Sequence, residues 1–161
     1  MLSRLTAGNG ELFIMRKPLG LRFFLTSAIL AALVFALDVA FHVAVVPDLY
    51  LGYPQRSQAE IAHLTPFLFL TYVVQIMIFL WLFMRLYPEG GARNAIWWGL
   101  WGGLFVVIPN MQFFVGVAGT TWTLLGVQVV EAVILLIGAT LAFDALYPKA
   151  RSQPLGTTAR G

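Results

Sequence analysis

Four long apolar runs, separated by short polar stretches, organise the chain: residues 23–46, 66–86, 95–117 and 122–146. Each approaches or exceeds the roughly 20 residues a helix needs to cross about 30 Å of hydrocarbon. None shows the period-two alternation of a strand, and a backbone in lipid must close its own hydrogen bonds as a helix or a barrel. The pattern predicts an all-α polytopic membrane protein: a four-helix transmembrane bundle with short loops, covering residues 23–148. The flanking tails, 1–22 and 149–161, are rich in Gly, Ser, Thr and Gln. They are expected to be mobile.

Local signals mark the ends of these runs. Ser57 and Glu60 have the spacing of a capping box, which starts a helix ahead of the second run. Thr65-Pro66 is a competing start, with proline at the first helical position. The second and fourth runs both end in Leu-Tyr-Pro, at 86–88 and 146–148, where proline stops a helix and tyrosine suits a membrane interface. Met15-Arg16-Lys17 before an apolar run has the look of a secretory signal. The run is too long for a signal's core, so a retained span is expected.

Composition supports the membrane reading. Hydrophobic residues make up 60% of the chain and charged residues 11%, against about 25% charged in soluble domains. The absence of cysteine excludes disulfides and thiolate metal sites. A net charge of +3 does not point to nucleic acid, because in so apolar a chain basic residues flank spans. Of the ten Lys and Arg residues, only Arg56 lies in the loops that four crossings place on one side of the membrane. The other nine lie on the opposite side: Arg4, Arg16, Lys17, Arg22, Arg85, Arg93, Lys149, Arg151 and Arg160. The positive-inside rule then puts both termini in the cytoplasm, in the inner membrane if the source is bacterial.

Polar residues inside the spans carry the functional signal, because each is costly in hydrocarbon. Asp38 and His42 share a face of span one; Gln128 and Glu131 share a face of span four; Gln75 lies in span two and Asn110 in span three. At 1.5 Å per residue, Asp38 sits about 12 Å below the outer end of its span and His42 about 6 Å. The same rise puts Asn110 about 10 Å deep, Gln128 about 9 Å, and Gln75 and Glu131 about 14 Å. These six residues are expected to form a polar pocket, or a proton-linked network, in the outer half of the bilayer. Interhelical hydrogen bonding that merely holds the bundle together is the plainer reading.

Asp38, His42 and Glu131 are also candidate ligands for a divalent ion, although their spacing matches no recognised metal motif. Haem held by His42 and His63 ranks below that, and no cofactor is predicted. Gly99, Gly102 and Gly103 suit close helix packing, either within the bundle or between two copies. No phosphate-binding loop, HExxH or serine nucleophile elbow occurs, which argues against an enzyme. The four-span layout is similar to that of small multidrug exporters and quinone-linked membrane subunits, and layout alone carries no function. The leading expectation is an accessory or structural subunit of a membrane complex. The alternatives are a small proton-linked transporter using Glu131 and Asp38, and a membrane enzyme or metal-binding protein. Expected partners are the lipid bilayer and either a second membrane protein or a second copy; nucleic acid is not among them.

Overall fold

A computed structural model describes residues 19–51, 56–116 and 121–147. The expected mobility of the tails lies outside these residues. All regular structure in the described residues is helical. The long helices are α1 (Leu21–Ala40), α2 (Gln58–Leu86), α3 (Ala92–Gly116) and α4 (Trp122–Leu146). A π-helical turn, Phe41–Val45, prolongs α1, and a 3-10 turn, Pro47–Tyr50, follows it.

Three of these helices are long and apolar enough to cross a membrane: α1 with its π turn, α2 and α4. Large apolar side chains such as Leu21, Ile29 and Phe67 are left exposed on them, which suits lipid and not water. The chain is therefore read as an integral membrane protein. α3 matches the others in length, at 25 residues, but is not among the three. Its apolar run is diluted by Trp97, Trp98 and Trp101, by four glycines, and by Asn110 and Gln112.

Helix α2 begins at the capping box. The Ser57 hydroxyl accepts from the Glu60 amide at 3.2 Å, and the Glu60 carboxylate accepts from the Ser57 amide at 2.9 Å. The competing start at Thr65-Pro66 is thereby corrected: Pro66 lies inside α2. Reciprocal satisfaction of end amides outweighs proline's preference for a first turn. At the other end α2 stops at Leu86, and α4 stops at Leu146, each with tyrosine as the C-cap.

The helices pack unequally. α3 lies closely along α4, α1 packs on α2 and α4, and α2 touches α3 only slightly, giving the neighbour order α2–α1–α4–α3. Glycine makes the α3–α4 approach possible. A Cβ on Gly99 would collide with the Ile137 backbone, and one on Gly103 would stand 2.5 Å from Val133 Cα. The Gly99–Gly103 face is thus occupied by α4 of the same chain. Gly102 faces another way, toward the Phe79 ring.

The buried core is concentrated at the end of the bundle that holds the α2–α3 turn. Phe23, Leu80, Phe83 and Phe143 are almost fully enclosed there. Phe23 and Phe143 meet edge to face at 6.0 Å, and Phe143 stacks on Tyr147 at 4.9 Å. Polar ties close this end. Arg22 donates to the Leu146 carbonyl at 3.1 Å, and the Gly91 amide donates to Asp144 at 2.9 Å. Gly90 and Gly91 make the turn with φ of 63° and 102°, a backbone region that favours glycine. The opposite end carries the polar residues.

Candidate functional site

The site begins with the way α1 ends. Pro47 has no amide hydrogen to continue the helical ladder. The last turn widens instead, with the Val46 amide donating to the Phe41 carbonyl five residues back at 3.2 Å. This π turn contains His42 and precedes a break in direction at Val46. π turns occur often at functional sites, and here the turn leaves the imidazole facing α4.

On α4, about two and a half turns below its amino end, Glu131 is buried at 8% exposure. Its Oε2 lies 3.3 Å from His42 Nδ1, within ion-pair range. The two atoms are not aligned as a hydrogen bond, and both His42 Nδ1 and Glu131 Oε1 are buried without a hydrogen-bond partner. Asp38 stands one turn before His42 on α1. One ligand atom from each of Asp38, His42 and Glu131 can be chosen so that all lie within 4.8 Å of one another. Tyr72, from α2, lines the same cavity beside the Asp38 carboxyl. Tyr72 is itself positioned by edge-to-face packing on Phe35 at 5.3 Å.

These four side chains, with Gln128, Val106, Val107 and Ala132, line a cavity of about 240 Å³. The cavity draws on all four helices. Two carboxyls and one imidazole at such separations cannot all stand as anions and a neutral ring without a counter-cation, given the expense of uncompensated charge away from water. The site is therefore suited to holding a cation.

The structure brings together four of the six residues singled out in the sequence: Asp38, His42, Gln128 and Glu131. Gln75 does not line this cavity; it lies in a separate groove between α2 and α3. The Asn110 side chain lies outside what is described. His63 is exposed on α2 and is not part of the His42 cluster. Tyr72 is not among the residues that the sequence singles out, because its ring reads as part of an apolar run; a tyrosine in mid-span, away from the interface where it is usual, is the signal that marks it.

The groove is the second feature. Near the Gly90–Gly91 turn, α2 and α3 are linked by Trp98, whose indole donates to the Phe79 carbonyl at 3.1 Å and stacks on the Phe79 ring at 5.4 Å. Beyond that link lies a space of about 820 Å³, lined mainly by apolar side chains including Phe79, Trp101 and Phe105, with Gln75 among them. Gln75 is exposed.

Comparison with protein-family models, with curated proteins and with solved structures finds no match.

Proposed function

We propose that the chain crosses the membrane four times, with both termini cytoplasmic, and serves as an accessory subunit against which a helix of a second membrane protein docks along the α2–α3 groove. The observation that carries this reading is Gln75, an amide exposed in an otherwise apolar groove of about 820 Å³. Lipid chains can fill such a groove but offer the amide no hydrogen bond. A helix carrying an Asn, Gln, Ser or Thr opposite Gln75 supplies both the packing and the bond. The fourth crossing is supported by the length of α3 and its close seam with α4. The orientation is supported by the nine-to-one distribution of basic residues among the ten in the chain.

The test is photocrosslinking in native membranes. A photoreactive side chain at Ile78, in the groove, should give one defined adduct, absent when the group is placed at the lipid-facing Ile29 and weakened by Gln75→Leu. An adduct of the chain with itself would replace the reading with a homodimer. Equal labelling from Ile78 and Ile29 would end it.

The polar cavity favours a second reading, a small carrier whose cationic solute seats between Asp38 and Glu131. Flux through reconstituted vesicles that is unchanged in Glu131→Gln would rule that out.

A further inference from the structure

The geometry points to a divalent transition-metal site of the zinc class, formed by His42 Nδ1 and the carboxylates of Asp38 and Glu131. It rests on the cavity alone and is independent of the groove that carries the accessory-subunit reading; under the carrier reading the ion is itself the solute.

The donor atoms come from three positions on two helices, and all lie within 4.8 Å of one another. Ligands about 2.1 Å from a tetrahedral centre stand about 3.4 Å apart. The His42 Nδ1–Glu131 Oε2 separation of 3.3 Å already matches one edge of that tetrahedron. The misalignment of this pair has the same meaning. An ion shared by two ligands lies off the line joining them, so each ligand points beside its neighbour and not at it. That is the relation found here, an ion-pair distance without hydrogen-bond geometry.

A second observation is independent of the cluster's spacing. Glu131 is more than nine-tenths buried, and its Oε1 has no hydrogen-bond partner. A buried carboxylate oxygen without a donor is expensive, and coordination satisfies it. Charge agrees: two carboxylates, a neutral imidazole and a divalent ion sum to zero, the form that a low-dielectric site favours. Tyr72, beside Asp38 in the cavity lining, is placed to donate the outer-shell hydrogen bond that commonly fixes a ligating carboxylate.

The donor set also discriminates among ions. One nitrogen and two carboxylates suit zinc and its neighbours in the transition series. Calcium takes six to eight oxygens, more than these three residues offer. Soft ions favour sulfur donors, and none of these three residues supplies one. The fourth coordination position opens into the cavity of about 240 Å³, which has room for water or a small ligand.

The experiment uses the full chain purified in detergent, stripped with chelator and titrated with Zn²⁺ alone by calorimetry, with elemental analysis of the dialysed product. One Zn²⁺ per chain is expected, with saturable binding lost in His42→Ala and in Glu131→Gln. Tyr72→Phe should weaken binding about tenfold while keeping the stoichiometry. Should either ligand variant fail to run as a monodisperse species, Co²⁺ substitution in the unmodified chain reads the site directly. Intense visible d–d bands of a tetrahedral nitrogen- and oxygen-ligated ion are expected. Failure of the unmodified chain to bind Zn²⁺ saturably overturns the inference, as does binding that survives both ligand substitutions or an octahedral Co²⁺ spectrum.

Discussion

Gly99 and Gly103 show how a single missing side chain sets the fold. Their hydrogens face the α4 backbone at Ile137 and Val133, so Gly103→Ala places a methyl 2.5 Å from Val133 Cα, where only a backbone shift can make room. Overpacking of this kind costs about 1–3 kcal/mol. Gly138, on α4, has no atom within 4 Å of the position a Cβ would take. Gly138→Ala is expected to be neutral, or to stabilise α4 by up to about 1 kcal/mol through helix propensity. Thermal unfolding in detergent, followed by circular dichroism, should show Gly103→Ala melting below the unmodified chain and Gly138→Ala at or above it. Gly103→Ala melting at or above the unmodified chain would mean that the seam tolerates a methyl. At this scale the sequence was partly legible. Counting residues along a span gives depth, and depth sufficed to place Asp38, His42, Gln128 and Glu131 in one layer. The direction in which each residue points around its helix depends on neighbouring helices. That is why Gln75, at the same computed depth as Glu131, lies in the groove and not in the cavity.

Helix ends carry the next level of information, and the α2 start is the most testable. Its capping box is exposed, and hydrogen bonds from the Ser57 amide and then its hydroxyl hold the Glu60 carboxyl below its ordinary value of 4.5. The sign follows directly. A carboxylate whose folded value is depressed stabilises the folded state fully above the unfolded value, and the contribution is lost as pH falls through the folded one. In a micelle-bound sample, the Glu60 carboxyl resonance should titrate with a midpoint below 4.5 and return toward it in Ser57→Ala. A midpoint that ignores the substitution would show that the box does not form. The α4 start is built similarly, with the Thr121 hydroxyl accepting from the Leu124 amide at 3.1 Å, and the observed bounds of α4, Trp122–Leu146, are those expected from the apolar run. The end of α1 was less legible. Apolar periodicity does not distinguish an α turn from a π turn, although Pro47 marks where the ladder must fail. His42 owes its approach to Glu131 to that turn.

As a whole, the molecule is built with unlike ends. The end with the α2–α3 turn is knitted by rings and by the Arg22 and Asp144 ties; the other end holds the acid–imidazole cavity. If the tight end is cytoplasmic, as the distribution of basic residues argues, the cavity belongs to the outer half of the bilayer. Its ligands would then arrive from the side facing away from the cytoplasm. The chain lends itself to a direct test because it contains no cysteine, so a single introduced thiol reports only its own position. Asp48, in the turn after α1, and Glu89, in the α2–α3 turn, are both exposed and lie at opposite ends of the bundle. In intact cells a membrane-impermeant maleimide should label Asp48→Cys at once, whereas Glu89→Cys should react only after permeabilisation. The reverse pattern would invert the molecule and turn the cavity toward the cytoplasm. Labelling of both in intact cells would remove a crossing between them, and with it the assignment of α2 as a span. The expected pattern fixes the side from which a cation must enter, which the fold alone leaves symmetric.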